Sequence, residues 1–384
     1  MSQRVAIVGI GHTVFSSTSP AVSYKEMIYE AAEKAYLDAG VDPRHDVDSF
    51  VAVSEDFQEG VSIFDEYTPD QLGAALRPVH TIAGDGIQGL ITGHMLILSG
   101  IAQVVAIEAH SKASNVLTPG HILHFALDPI YNRPLGAHPY FVAGMEMNRF
   151  IYEGGATKDH CAMVVAKNRI NALSNPSAGY GARLSAREVL DSNPIAFPLS
   201  SLDVAQSADG AIVVVLASEE RARSLSGKPV WIRGVGWASE TSWLETHQWG
   251  EALYARLAGD MAFKMAGVRN PAREIDLAEV DDTFSYKELQ HLEALRLCRP
   301  GEAGYLTEEG ATEIGGDLPV NTSGGSLGVG HLYEASGLQK VLEIVLQLRG
   351  EAGRRQVRDA CTGLAQSWRG VPTTTGAVVV LGSG

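Results

Sequence analysis

Cysteine is scarce. Three residues, Cys161, Cys298 and Cys361, serve a chain of 384, and no two form a C-x-x-C pair. An odd, sparse set of this kind excludes a disulfide framework and a zinc knuckle and suits a reducing cytoplasm. Positive charge is also short: 30 Lys and Arg stand against 45 Asp and Glu, for a net charge of −15. With no basic cluster to offset that balance, a nucleic-acid surface is excluded, and the charge speaks for solubility. Long apolar runs are missing too. The most hydrophobic window, residues 87–107, is broken by Gln88, His94 and Gln103, so it reads as a buried helix and then a strand, not as a membrane span. The chain enters strand-like Arg4-Val5-Ala6-Ile7-Val8 with no basic and apolar leader before it, so no signal peptide is expected and the location is taken as cytoplasmic. A hydrophobic content of 45% and a charged content of 20% describe an ordinary soluble protein with a sizeable core.

Glycine is where the sequence is rich. Five glycines fall in the fourteen residues from Gly324 to Gly337, with His331 and Tyr333 among them. Such density speaks against a regular element and for a backbone that turns tightly beside a ligand. The apolar stretch at 338–348 then reads as a helix, whose free first-turn N–H groups favour negative charge.

A duplication lies along the chain. Val5-Ala6-Ile7-Val8-Gly9-Ile10-Gly11 returns as Val230-Trp231-Ile232-Arg233-Gly234-Val235-Gly236, 225 positions later. Gly210-Ala211-Ile212-Val213-Val214-Val215-Leu216 matches Gly376-Ala377-Val378-Val379-Val380-Leu381 at an offset of 166. The glycine turns at Gly84 and Gly86 and around Gly330 to Gly337 also correspond, each opening an apolar helix. Periods this long imply two related α/β halves, not a solenoid. The division is set at 1–225 and 226–384. The 59-residue difference between the offsets places an insertion in the first half, at about 111–201, whose His, Pro, Asn and Tyr content suits a loop region covering a site. Between the halves' motifs, Ser23 and Glu26 have capping-box spacing, with Gly40 closing the helix they start. A further helix is expected over 286–297.

This arrangement resembles the thiolase superfamily, and specific residues carry the likeness. Val164-Val165-Ala166-Lys167-Asn168-Arg169, Asn171-Ala172, Asn175-Pro176, Ile195-Ala196 and Pro198-Leu199 are similar to the loop region of the sterol-carrier-protein type. Asp203 with Ser207-Ala208-Asp209-Gly210-Ala211 resembles the strand that closes the first half. Glu279-Val280-Asp281-Asp282-Thr283-Phe284 falls where the family has its E-x-N-E-A-F or H-D-x-F segment. Asn321, Gly324, Gly325, Gly330 and His331 resemble its N-x-x-G-G…G-H-P loop. The likeness spans nearly the whole chain and implies a five-layer αβαβα fold.

The departures are chemical. Where thiolases carry the cysteine that is acylated, the turn reads Ala83-Gly84-Asp85-Gly86, and an alanine cannot attack a thioester. The second cysteine position falls in Ala365-Gln366-Ser367-Trp368-Arg369-Gly370-Val371-Pro372. Cys361 stands 15 residues before Gly376, too far by the family's spacing, and reads as a buried inert thiol. Asp281 replaces an Asn or His, and Leu332 replaces the proline of G-H-P.

A lost nucleophile beside a retained enolate pocket fits retro-aldol cleavage of a β-hydroxyacyl-CoA, which passes through a thioester enolate without a covalent intermediate. The steroid side-chain retro-aldolases of the superfamily do this with two tyrosines. The resemblance to them implies Tyr286 as base, Tyr333 as acid and His331 as holder of the enolate, with Gly324, Gly325, Gly330, Asp85 and Ser367 binding coenzyme A or the oxyanion. A phenol with an ordinary pKa near ~10 needs a cation or donor to serve as base, and Lys287 and His331 are nearest in sequence. The base and acid order stays open. Asp85 reads first as a helix cap. The products expected are a ketone and a short acyl-CoA such as propionyl-CoA. The alternatives are a thiolase-like acyltransferase using Cys361 or a hydroxyl, and a non-catalytic acyl-CoA-binding subunit. No cofactor is expected beyond the coenzyme A of the substrate. Gly9-Ile10-Gly11 lacks the third glycine of a dinucleotide fingerprint, and His121 with His124 lacks the Cys or carboxylate of a metal site and reads as part of a lid. The likeness further implies at least a homodimer and a small partner with an OB-fold and a zinc ribbon.

Overall fold

The computed structural model describes residues 4–54, 63–225, 227–241, 243–370 and 374–384. Its strands are β1 (Val5–His12), β2 (Ser49–Ser54), β3 (Val79–Ala83), β4 (Val104–Lys112), the short hairpin β5 (Pro194–Ala196) and β6 (Leu199–Ser200), β7 (Asp209–Ser218), β8 (Val230–Ser239), β9 (Leu277–Glu279), β10 (Thr362–Arg369) and β11 (Thr375–Gly382). The helices that matter to the site are α1 (Tyr24–Ala39), α2 (Gly86–Leu98), α3 (Pro119–His124), α4 (Pro139–Gly154), α5 (Lys158–Ala172), α6 (Leu253–Ala266), α7 (Ser285–Ala294), α8 (Gly325–Val329) and α9 (Ser336–Arg349).

Nine strands form one mixed sheet in the order β3-β2-β4-β7-β1-β8-β11-β10-β9. Two half-sheets meet where β1 and β8 run antiparallel, at Ala6 opposite Trp231 and Ile7 opposite Val230. Outward from that junction, β1-β7-β4-β2 is mirrored by β8-β11-β10-β9, the same succession of antiparallel, antiparallel and parallel pairs.

The strands are apolar on both faces because each half-sheet is covered on both. On β7, Ala211, Val213 and Val215 join α1 in one core, while Ile212, Val214 and Leu216 join α2 and α9 in another. On β11, Val379 and Leu381 face that same central core, and Val378 and Val380 face α6 and α7. The layers are therefore α1, half-sheet, α2 with α9, half-sheet, and α6 with α7. This is the thiolase-like five-layer arrangement.

The duplicated Gly-x-Gly proves to be a helix-packing device. A Cβ on Gly9 or Gly11 would strike the carbonyl oxygens of Ala35 and Ala31 on α1, and one on Gly234 or Gly236 would strike those of Ala262 and Ala258 on α6. Each pair lets a helix backbone lie directly on its strand. The Ser23–Glu26 capping box and the left-handed Gly40 (φ 67°) bound α1 as the spacing requires.

Two expectations need correction. The insertion at 111–201 is not loop throughout: it carries α3, α4, α5 and a short helix at Ala186–Leu190. Its helices were hidden because α5 turns polar side chains inward: Lys167 donates to Val320 O, Asn168 to Asp282 and Glu288, and Asn171 to Asn321 O. The glycine-rich stretch does hold a regular turn, α8, because the Asp282 carboxylate takes the Ser326 and Leu327 N–H groups at its start, at 2.5 and 3.2 Å. No helix among the described residues is long and apolar enough to cross a membrane.

Replacing Gly236 with Ala forces α6 off its strand. Overpacking of this kind costs about 1–3 kcal/mol, so the Gly236→Ala variant should show a lower urea midpoint than the wild type.

Candidate active site

One cavity of about 510 Å³ lies between the helical insertion and the glycine-rich stretch. Leu117, Pro119, Leu123 and His121 of the α3 region, with His138 and Tyr140 at the start of α4, form its lid. Phe284 and Trp368 form an aromatic floor, their rings meeting edge to face at 6.0 Å. Asp85, Thr283, His331 and Tyr333 line it as well, with Arg369 and Gly370 at the end of β10.

Asp85 joins the two central helices. One carboxylate oxygen accepts the Ile87 N–H of α2 at 2.9 Å and the other accepts the Gly337 N–H of α9 at 2.9 Å. Its own N–H donates to the Gln88 side chain, completing a capping box. Burial pushes its pKa up, against the opposing pull of Ser367, those two N–H donors and Lys340. The sequence expectation of a helix cap thus understates it: one side chain caps two helices.

His331 is held on both sides by backbone. Its N–H donates to Gln206 O at 2.8 Å, and its own carbonyl accepts the Ala208 N–H at 2.9 Å. The Nδ1 atom lies 3.2 Å from Ser336 Oγ and 3.4 Å from Thr283 Oγ1. Burial lowers its pKa to about 4, outweighing the opposing pull of Asp281, so the ring is neutral at pH 7. Tyr333 packs edge to face against it, ring centroids 5.4 Å apart. The Tyr333 backbone has φ 44°, in the left-handed region that costs an aromatic residue about 1–2 kcal/mol. Strain of that size, held beside a cavity, is of the kind that functional sites retain.

The other expected site residues stand elsewhere. Tyr286 is fully buried and does not line the cavity; its hydroxyl donates to Glu146 at 2.6 Å. Burial first, and then the Glu146 charge, raise its pKa well above the ordinary tyrosine value. Lys287 does not relieve this, since its ammonium donates to Glu146, Tyr254 and Gln290. A phenol so placed stands apart from the cavity lining, and its raised pKa disfavours the base role implied by the resemblance.

The loop glycines approach protein, not the cavity. Gly324 faces Ala172, Gly325 (φ 57°) faces Asp282, and Gly330 (φ 116°) faces Ala208 and Tyr180. Ser367 sits behind Asp85, away from the cavity surface. Of its stretch, Val371 and Pro372 lie outside the described residues.

None of the three cysteines lines the cavity. Cys161 and Cys298 have thiols that burial pushes up to about 12. Cys361, expected to be buried, is exposed, in a separate depression beside Arg4, His94 and Trp231. His121 is part of the lid, as expected, while His124 bonds Arg133 O. No cluster of three or more His, Cys, Asp or Glu suited to a metal occurs among the described residues.

Sequence reasoning missed Thr283, Tyr140, His138 and Arg369 as lining residues. Thr283 and Arg369 stood inside quoted motifs, where their neighbours drew attention. Tyr140 and His138 lay within the insertion expected to cover a site, but no motif singled them out, because only the fold brings α4 over the floor.

Residues 238–383 match the family described as Thiolase C-terminal domain-like. The chain is 33% identical over 378 residues to an acetyl-CoA acetyltransferase of Methanothermobacter thermautotrophicus, covering 96% of this chain and 97% of that one. It is 30% identical over 387 residues to a steroid side-chain-cleaving aldolase of Thermomonospora curvata, covering 96% of each. The solved structure of an Ltp2-ChsH2(DUF35) aldolase has a TM-score of 0.84 with it at 28% identity, covering 99% of this chain and 97% of that one.

The His94, His291 and His331 imidazoles are all lowered to about 4. Between pH 6.5 and 4 each of these three imidazoles therefore holds more proton in the unfolded chain than in the folded one, and its contribution to stability falls as pH falls through that window. Glu279, Asp282 and Glu293, raised to about 8, 6 and 7 by burial, act in the opposite sense. NMR titration should find His331 still neutral at pH 5.5, and a His331→Gln variant should lose less stability than the wild type between pH 6.5 and 4.5.

Sequence, fold and relatives agree on one assignment: this chain belongs to the thiolase superfamily, in its sterol-carrier-protein-type branch.

Proposed function

We propose that this thiolase-like acyl-CoA enzyme cleaves a β-hydroxyacyl-CoA by a retro-aldol reaction, releasing a ketone and a short acyl-CoA. The observation that carries the reading is a cavity without a thiol. By the sequence resemblance Ala83 takes the nucleophile's place, and Cys161, Cys298 and Cys361 all lie away from the cavity. Acyl transfer through a thioester-linked enzyme has no residue to form it, whereas enolate chemistry needs only a proton carrier and oxygen donors.

In the proposed reaction Tyr333 carries the proton. Its oxygen, as phenolate, takes the β-hydroxyl proton; the Cα–Cβ bond breaks, and its electron pair enters the thioester enolate. The β-carbon leaves as a ketone. The enolate oxygen is held by the neutral His331, and the same proton returns from Tyr333 to the α-carbon, which leaves Tyr333 as it began. Tyr286, buried against Glu146, is assigned to the core beneath the Phe284–Trp368 floor. The size of the cavity and the aromatic floor support a bulky acyl group, and the steroid side-chain-cleaving aldolase named above supports a steroid side chain, for which a tertiary hydroxyl is proposed from the sequence resemblance.

The same relatives support a partner. The Ltp2-ChsH2(DUF35) aldolase supports a DUF35 partner for this chain. The OB-fold and zinc-ribbon form of that partner and self-association at least to a dimer are proposed from the sequence resemblance alone. The acetyltransferase relative at 33% identity keeps the transferase reading as the outcome to be tested against.

Incubation with candidate β-hydroxyacyl-CoA esters, alone and with such a partner, should yield a ketone and a shortened acyl-CoA whose masses sum to that of the substrate. Removing the acid-base phenol in a Tyr333→Phe variant should lower kcat by about 10²–10⁴-fold. Iodoacetamide should leave the wild type active. Loss of activity on thiol alkylation, or acyl transfer to free coenzyme A with Tyr333→Phe fully active, points to the transferase instead.

A further inference from the structure

The first residue of α9 bears on His331 in a way that no motif assigns. Ser336 is 3% exposed, and its Oγ accepts the Leu332 N–H at 3.0 Å and lies 3.2 Å from His331 Nδ1. With that N–H already accepted, the hydroxyl still has its own proton to place. Among the described residues His331 Nδ1 is the acceptor within reach. If Nδ1 carried the hydrogen instead, the buried Ser336 proton would have no partner, a loss of about 1–3 kcal/mol. Thr283 Oγ1, at 3.4 Å, flanks the same nitrogen and can donate to it as well. The other ring nitrogen, Nε2, has no hydrogen bond to a described residue, and the ring lines the cavity.

We infer that Ser336 is a positioning residue that fixes the His331 tautomer, by donating to Nδ1, so that Nε2 presents its hydrogen to the enolate oxygen of the substrate. The inference rests on the reading of His331 as the holder of the enolate. The alternative tautomer would present a lone pair to a developing negative charge and repel it.

Ser336 and its neighbour act together. The Ser336 hydroxyl orients the imidazole, and the next N–H, that of Gly337, ties the same helix start to Asp85. The register of α9 therefore sets both the direction of the His331 donor and the place of Asp85.

The test is nitrogen-15 NMR of histidine-labelled protein, with His331 identified by its absence in a His331→Gln variant. The wild type should show Nε2 protonated and Nδ1 as an acceptor; a protonated Nδ1 overturns the inference. In Ser336→Ala the two tautomers should mix, and kcat should fall about 10- to 100-fold with KM within about twofold, a smaller loss than the ~10²–10³-fold of deleting a donor outright. Ser336→Thr, which keeps the hydroxyl, should restore the tautomer. An unchanged tautomer and unchanged kcat in Ser336→Ala also overturn it. The NMR arm needs no turnover. Failure of every β-hydroxyacyl-CoA as substrate would therefore count against the proposed reaction, while the spectrum still decides the role of Ser336.

Discussion

The Asp85 carboxylate, shared between the first turns of α2 and α9, is the contact on which the site depends. Each helix N-terminus carries roughly +0.5 of a charge, so the two together match one carboxylate. Two apolar helices that pack side by side between half-sheets bring their positive ends to the same point, and something negative must sit there. In this chain a carboxyl group of the protein takes that place, where burial raises its pKa and the two N–H donors and Lys340 pull the other way. Gly337 is part of the fit, because a Cβ there would collide with the Asp85 carboxylate.

An internal hydrogen-bond acceptor at that point changes what the cavity can do. The helix ends are no longer free to hold a substrate oxygen, so donors must come from side chains that line the cavity, His331, Tyr333 and Thr283 among them. Burial keeps His331 neutral, which suits a hydrogen-bond donor better than a general acid. Tyr333 is pressed into left-handed backbone next to it. On the proposed reading these features belong together: a nucleophile position without a thiol, helix ends already occupied by Asp85, and a tyrosine on strained backbone. The proposed reaction has them serve a thioester enolate.

Much of the fold was legible because its repeats have physical causes visible in composition. Gly9, Gly11, Gly234 and Gly236 recur because two helices each need a bare strand to lie on. The uninterrupted Ile212-Val213-Val214-Val215-Leu216 run marks a strand covered on both faces. The site was legible in part. Ala83, Asp85, His331 and Tyr333 stand in turns that the duplication points to. Tyr286 misled because its environment is made by residues far away in sequence: Glu146 lies 140 positions before it. Gly324, Gly325 and Gly330 were read as making room for a ligand, and the room they make is for Ala172, Asp282 and Ala208. Glycine reports a close approach without saying to what. The helices of the insertion stayed hidden for a related reason, since α5 buries Lys167, Asn168 and Asn171 where an apolar stripe would be expected.

The central claim is that carbon–carbon cleavage here proceeds with no covalent acyl-enzyme. Intact-protein mass spectrometry on enzyme quenched during turnover of a β-hydroxyacyl-CoA reads this directly. The account predicts an unmodified polypeptide mass at every time point while ketone and short acyl-CoA accumulate. A polypeptide heavier by the acyl group, appearing and decaying at the rate of turnover, would contradict it.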